Sequence, residues 1–593
     1  MVAVTPFPIT PKPGVVKNES DRVVEGRYID SRGVRFVDGL PEKRGGSVRA
    51  VTTPTSGVPR TLHAWRDNNS NNFLAAGTYR KLYVYDTGWV QNDITPFRST
   101  GTLGTDPFTT TSGSAIVSVA HTAHGLNAGD TVIFSGATAV GGITPNGTFT
   151  VLTVTSANAY TFTFTSAASS SATGGGATVD FSYEIPIGTE LGAYGLGWGV
   201  GGWGLGTWSD PHSSSTIFIE PRIWSLDHFG QILIASYNGG SIYTFDPTAA
   251  QPWSRAAIIA AAPTDCRAVA VTPERFVMAL RAGMVVAWCT QGDYTIWTPA
   301  ANNTASTRTL TEGTKLVGIK VLQPFETLVW TDAALYRFRW TGDTYVYQSS
   351  LLGKNCGLIS PNAAVTVDGR AYWMGRDSFW MFDGSVHRMP NVEDIREFVM
   401  DQLDDQTIYQ AHVVYHPGPH QIEFFYTPSG QTSPTKSVTY DIATQVWWPD
   451  DTTARTSGTY FTQGDTRPYL GLSDGYINQH ENTNDDNGSI LPWSLTLARY
   501  VLSEGRQNMR INGFQFDYTA QAGNITIDVS LYDRLNDAAA MDSGSYTFTT
   551  TTGLTDARLK GRYAKIVQSC SALASFMRMG KHVAFVRPAG QRR

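Results

Sequence analysis

The chain has 593 residues and a formal net charge of −5, with 41% hydrophobic, 12% aromatic and only 16% charged residues. A chain this rich in aromatic residues and poor in charge is not disordered. Its acidity argues against a protein whose main task is to grip nucleic acid, because phosphate binding needs an excess of Lys and Arg. Abundant Gly, Ser and Thr favour strands and turns over helices.

Targeting and redox signals are weak. The first twenty residues lack a basic segment followed by an apolar run, so we expect no signal peptide and folding in a cytoplasm. No stretch of about 20 apolar residues occurs, so we expect no membrane-spanning helix. The four cysteines form no CxxC pair, which favours buried free thiols over a disulfide framework.

A repeated hairpin is the main organising feature. Each unit joins an apolar strand, a turn rich in Gly, Asp or Asn, and a second strand rich in aromatic residues. From the second unit on, the spacing fits four strands per unit, the size of a propeller blade. We therefore predict an all-β fold with a β-propeller of six or seven blades. The hairpins span residues 73–86, 232–246, 277–289, 327–340, 371–384, 421–441 and 468–481.

The gap between the first two hairpins is too long for a loop. Residues 114–166 alternate strands with Gly and Asn turns, which predicts an inserted small β-barrel or sandwich. A Gly/Trp run follows at 191–208, with Trp198, Trp203 and Trp208 at five-residue spacing. These tryptophans could stack on bases or sugars, but we favour a structural or subunit-contact role.

One helix is predicted near 391–405, as a connector between blades, with Asn391 as its N-cap. From about residue 489 the pattern changes to longer alternating strands, typical of a β-sandwich. We therefore divide the chain into an N-terminal segment with the first blade (1–105), the insert (106–184), the remaining blades (185–488) and a C-terminal sandwich (489–593). The end of the chain is basic, and Arg587, Arg592 and Arg593 form a candidate contact patch for DNA phosphates or an acidic partner.

Motifs that could carry catalysis are unconvincing. Ser473 lies in a GxSxG match, but a hairpin turn replaces the strand-to-helix elbow that the chemistry needs. The GxGxxG match at 197–202 lacks its strand and helix. Histidines at 412, 416 and 420, and the pair at 121 and 124, have no completing ligands. We therefore assign no catalytic, cofactor-binding or metal-binding residue and expect no enzyme.

Several segments resemble a known family. Residues 26–46, GRYIDSRGVRFVDGLPEKRGG, resemble the opening of tail nozzle proteins of short-tailed bacteriophages. Residues 224–247 and 356–390 resemble the propeller core of those proteins, and residues 124–136 resemble small β-modules of phage tails. The residues of the first segment that match the family pattern are Asp38, Gly39, Pro41, Glu42, Lys43, Gly45 and Gly46.

The resemblance implies a structural subunit of the virion tail. Such a nozzle is a homohexamer below a head-to-tail adaptor protein. It sits near tail fibres or spikes, and it retains viral double-stranded DNA until ejection. Two alternatives stay open. One is a propeller that binds or cleaves carbohydrate, which predicts aromatic platforms and paired carboxylates. The other is a tail fibre or receptor-binding protein.

Overall fold

The computed structural model describes residues 4–20, 24–194, 218–249, 253–343, 345–502 and 507–589. Almost every regular element is a β-strand, as the composition predicts. The strands form a seven-bladed propeller, an inserted eight-stranded module and a two-sheet sandwich. None of the helices in the described segments is long and apolar enough to cross a membrane.

Each propeller blade is a four-stranded antiparallel sheet. In order from the inner strand outward, the blades are blade 1 (Pro59–Arg66, Asn72–Thr78, Leu82–Tyr85, Gln91–Asp93), blade 2 (Trp224–Phe229, Ile232–Tyr237, Ile242–Phe245, Ala257–Ile258), blade 3 (Cys266–Val271, Val277–Arg281, Val285–Trp288, Ser306–Thr309), blade 4 (Leu316–Gln323, Glu326–Thr331, Ala334–Trp340, Tyr347–Lys354), blade 5 (Ala364–Val367, Arg370–Met374, Phe379–Phe382, Val386–Arg388), blade 6 (His412–His416, Gln421–Tyr426, Lys436–Asp441, Trp447–Asp451) and blade 7 (Arg455–Thr459, Tyr469–Leu472, Ile477–His480, Ser47–Arg49).

The prediction of a propeller is confirmed, with seven blades. Each predicted hairpin supplies the second and third strands of one blade. The turn at Gly475 shows why the turn residues matter: its φ is +86°, and a Cβ there would lie 2.8 Å from the Thr55 carbonyl oxygen. Such a position favours glycine, so the local sequence fixes the hairpin.

The blades close into a ring. The inner strand of every blade contacts the inner strands of both neighbours, and blade 7 contacts blade 1. Buried apolar side chains fill the seams between blades, as where the Trp330 and Trp373 rings of blades 4 and 5 meet with centroids 5.6 Å apart. The outer strand of blade 7, Ser47–Arg49, comes from near the start of the chain and pairs with Ile477–His480.

The insert is an eight-stranded antiparallel sheet folded over its own apolar core, and it lies between blades 1 and 2. It begins earlier than the predicted residue 106, because its first strand, Phe97–Thr102, pairs with its last, Asp180–Glu184. The strands in chain order are Phe97–Thr102, Phe108–Thr110, Ile116–Ala120, Thr131–Ser135, Gly147–Ser156, Ala159–Thr163, Ala172–Gly174 and Asp180–Glu184, followed by the short pair Ala193–Tyr194 and Phe218–Ile219.

The sandwich combines both ends of the chain. One sheet contains Thr5–Ile9, Val34–Val37, Leu40–Lys43, Met509–Ala522, Thr555–Gly561 and Phe576–Pro588; the other contains Lys12–Val15, Arg27–Arg32, Trp493–Leu497, Tyr500–Val501, Ile525–Tyr532, Asp542–Phe548 and Tyr563–Cys570.

The structure thus differs from the predicted division, which placed the N-terminal segment with the first blade. Its apolar residues Val15, Tyr28 and Phe36 share one core with Trp493 and Phe514. The pattern of the segment is strand-like, but its partners lie more than 450 residues away, where no local signal points to them.

The predicted helix near 391–405 is short. It consists of a 3-10 turn, Val392–Asp394, and one α-helix, Arg396–Met400. Asn391 does not cap it, because its φ is +54° and its side chain donates to the Gln445 carbonyl oxygen. Two further 3-10 turns are Ala282–Met284 and Ile408–Gln410.

Gly46 lies where the chain passes from the sandwich to the propeller, so a substitution at Gly46 tests the packing of this crossing. A Cβ at Gly46 would lie 1.8 Å from the backbone oxygen of Asp485, which cannot rotate away. We expect Gly46→Ala to destabilise the protein by more than about 2 kcal/mol, because overpacking against backbone forces the chain to move. Urea denaturation followed by tryptophan fluorescence measures this change.

Gly418→Ala is the matched control, because a Cβ at Gly418 meets nothing within 4 Å. We expect that variant to change the free energy of unfolding by less than about 0.5 kcal/mol. Equal effects of the two substitutions would contradict the close approach at residue 46.

Candidate functional site

The predicted contact residues are only partly within the described segments. Trp198, Trp203, Trp208, Arg592 and Arg593 lie outside them. Arg587 lies on the strand Phe576–Pro588 of the sandwich.

Arg587 belongs to a row of cations that the sequence did not reveal. It faces Arg510 on the neighbouring strand, and Arg510 faces Lys560 on the next. Like charges opposite each other destabilise a sheet unless a counter-charge is present. We call these three residues the basic row. Arg510 was missed because it lies far from the basic end of the chain, and only the strand register brings it there.

The histidine groups weighed in the sequence do not converge. His416 Nε2 lies 2.9 Å from Glu423 Oε2, and His420 Nδ1 lies 2.9 Å from the Tyr415 hydroxyl. His121 contacts the Tyr183 hydroxyl at 2.7 Å. Each of these rings contacts a different partner within the fold, so we assign these histidines a structural role. The four cysteines are buried and free, as predicted.

The segment with the family resemblance forms the junction between sandwich and propeller. Asp38 and Gly39 make a tight turn with φ of +51° and +78°. Lys43 is fully buried, and its Nζ donates to the carbonyl oxygens of Asn484 and Ser575, both at 2.7 Å. The ammonium therefore links the segment that follows blade 7 to a loop of the sandwich. A long cationic side chain is required at this position to make both contacts.

Next to Lys43 lies a buried network of charges. Arg44 Nη1 lies 2.6 Å from Asp450 and 3.3 Å from Glu423. Burial alone would raise the pKa of Glu423, but Arg44 and a hydrogen bond with His416 outweigh it and bring that pKa to about 2. Paired in this way, the charges tolerate burial. We call Arg44, Glu423 and Asp450 the junction network.

Besides the basic row, the axial channel of the propeller is a second feature that could bind a ligand. Inner strands of all seven blades line a cavity of about 380 Å³. Arg60, Asn362 and His412 lie among its polar lining residues. His63, on the same strand as Arg60, and Asp227, on the inner strand of blade 2, also line it. This size falls within the range of small-molecule pockets.

Three side chains of the types that coordinate metal ions meet near one end of the channel. His63 Nε2 lies 3.0 Å from His228 Nδ1, and His228 Nδ1 lies 3.6 Å from Asp227 Oδ1. Among the groups that the structure describes, these three could hold a metal ion. Both Asp227 oxygens already accept backbone N–H groups, from His228 and Val271. The ammonium of Lys320 also acts on Asp227, and these features oppose a cation.

Neither the protein-family models nor the curated protein sequences match this chain. Among solved structures, "Phage phi92 endosialidase" matches with 12% sequence identity and a TM-score of 0.18, over 61% of this chain and 64% of that chain. The match thus spans less than two thirds of that chain's length. A similarity at this level supports no inference about activity or substrate.

Buried neutral histidines predict acid sensitivity. Burial lowers the pKa of both His412 and His582 to about 4. The unfolded chain therefore takes up protons first on acidification, so the stability that these two groups contribute is fully present above about pH 6.5 and is lost as the pH falls toward 4. Each histidine contributes a loss of about 1.4 kcal/mol per pH unit in that window. Urea midpoints at pH 7, 6 and 5 measure it.

The double variant His412→Gln/His582→Gln should reduce this dependence above pH 5, where most carboxylates stay ionised. Burial also lowers the pKa of His63 and His480, so these two residues should retain part of the slope. His387→Gln is the control, because the His387 side chain is 41% exposed. An unchanged slope in the double variant would contradict the assignment.

Breaking the junction network should be costly. Arg44→Met leaves Glu423 and Asp450 buried without their cation, so we expect a loss of about 3–5 kcal/mol of unfolding free energy. Arg376→Met removes a surface ion pair with Asp405, both side chains being about two-thirds exposed, and should cost less than about 1 kcal/mol. Chemical denaturation compares the two, and a small loss in Arg44→Met would show that the network is dispensable.

Proposed function

We propose that this chain is a structural subunit of a short-tailed bacteriophage tail, the nozzle that forms the distal part of the DNA channel. It forms a homohexamer below the adaptor, carries tail fibres or spikes nearby, and passes double-stranded DNA without catalysing a reaction. The observation that carries the proposal is the role of residues 26–46. The segment that resembles the nozzle family builds the junction of propeller and sandwich.

A rigid junction suits a ring subunit. The chain crosses from sandwich to propeller at Ser47 and returns at Trp493, and buried ion pairs lie beside the first crossing. Propeller and sandwich therefore support each other from two connections. A ring that must hold pressurised DNA needs subunits that do not bend at their domain boundary.

A carbohydrate-binding propeller is the second candidate, and one observation favours it. The rings of Phe325 and Trp340 stack with centroids 5.5 Å apart, and Phe325 is 49% exposed. Phe325 also has a φ of +72°, a strained conformation for a bulky residue. An exposed aromatic pair of this kind could stack on a sugar face.

Particle mass and symmetry test the nozzle proposal. We expect the purified full chain, alone or mixed with its adaptor, to give six-fold rings with a central hole at six times the 64.6-kDa chain mass. Mass photometry and negative-stain microscopy measure this. A chain that stays monomeric with the adaptor and binds defined glycans in an array would overturn the proposal in favour of the second candidate.

The basic row offers a variant for the same assay. We expect Arg510→Glu to weaken ring or adaptor assembly at least about tenfold, because charge reversal removes electrostatic complementarity. Arg376→Glu is the control, since it reverses an exposed charge on blade 5 of the propeller. Equal assembly of both variants would show that the basic row faces solvent.

A further inference from the structure

Arg60 is a buried cation beside the axial cavity. It lies near the start of the inner strand of blade 1 and is 5% exposed. None of its three guanidinium nitrogens has a hydrogen-bond partner within the part of the chain that the structure describes. An ionised group in this position costs several kcal/mol unless something compensates it.

Two other arginines with little exposure are each paired with an acidic residue. Arg44 contacts Asp450 and Glu423, and Arg455 contacts Asp486 at 3.2 Å. Arg60 differs from them because it borders the axial cavity. Glu190 is the acidic residue whose charge acts on it, but Glu190 accepts no hydrogen bond from it.

Arg60 stays charged under physiological conditions. Burial lowers its pKa to about 10, so the guanidinium is protonated at neutral pH. Its planar donors match the two oxygens of a carboxylate or phosphate.

His412 adds a second free group in the same cavity. Its Nδ1 lies 3.2 Å from the Gln410 carbonyl oxygen, which places the ring proton there. Its Nε2 is buried, has no partner among the described residues, and is left as an acceptor. A hydroxyl on a ligand would satisfy it. Asn362 is already engaged, because its Nδ2 donates to the Arg60 carbonyl oxygen and to Thr61 Oγ1.

We propose that the axial cavity of the propeller is an oxyanion-binding site, in which Arg60 chelates the carboxylate or phosphate of a small ligand and His412 accepts a hydrogen bond from a ligand hydroxyl. The cavity of about 380 Å³ has room for a molecule of monosaccharide size. The two sources of such an oxyanion are inorganic phosphate and a hydroxylated carboxylic acid. The site is independent of hexamer formation and of the tail role.

Calorimetry and thermal unfolding of the full chain test the site. The probes are sodium phosphate, sodium glucuronate and uncharged glucose, at constant ionic strength set with sodium chloride. We expect saturable binding and a rise in Tm with at least one of the two anions, and neither effect with glucose. Phosphate alone identifies an inorganic anion, and stronger binding of glucuronate identifies a hydroxy acid.

Variants assign the effect to the channel. Arg60→Met should weaken anion binding at least about tenfold and, without anion, should unfold no more easily than the parent chain, because it removes an unpaired charge. Arg60→Lys keeps the charge but not the fork, so its affinity should be intermediate. His412→Phe should weaken glucuronate binding more than phosphate binding. Arg376→Met should bind like the parent.

Two results would overturn the proposal. One is a parent chain that binds neither anion saturably, which would mean that water alone solvates Arg60. The other is equal anion binding by the parent, Arg60→Met and Arg60→Lys, which would place the anion elsewhere.

Discussion

The pairing of Ser47–Arg49 with Ile477–His480 is the contact on which the whole architecture depends. It gives blade 7 its fourth strand and brings together residues about 430 positions apart in the chain. Because the preceding residues must then lie beside the propeller, the same step positions the strands at 5–43 for the sandwich. The Ser47 hydroxyl donates to Asp486, so the closing strand is tied to the connection that leaves the propeller.

The charge distribution at the junction follows from that closure. Gly45 and Gly46 pass against Glu481 and Asp485 so closely that neither glycine has space for a side chain. Paired charges such as Arg35 with Glu481, at 2.6 Å, occupy the region instead. A buried pair adds little net stability over a well-packed apolar pair, but it rejects alternative registers because a mismatch would leave a charge unpaired. The junction therefore specifies one arrangement of sandwich and propeller.

The hairpins could be predicted because their information is local: a turn such as the one at Gly475 requires a positive φ, and its flanking residues alternate. The partners of the N-terminal strands could not be predicted, because strand pattern does not encode a partner 450 residues away. The same limit hid Arg510 beside Arg587 and the meeting of His63 with His228. The helix near residue 391 starts later than predicted, because Asn391 adopts a left-handed conformation and its side chain donates to the Gln445 carbonyl oxygen and does not cap the helix.

The contrast between the junction and the channel bears on function. At the junction, Arg44 and Lys43 are surrounded by acceptors that the chain itself supplies, so these cations are part of the scaffold. In the channel, the chain encloses Arg60 and His412 but leaves polar atoms of both without a described partner. The closing of a seven-bladed ring does not require a cation there, because apolar side chains fill the seams between the blades. A costly charge that the fold does not use is best explained by a ligand that enters the cavity, and this is the physical basis for the oxyanion site that we propose in the axial channel.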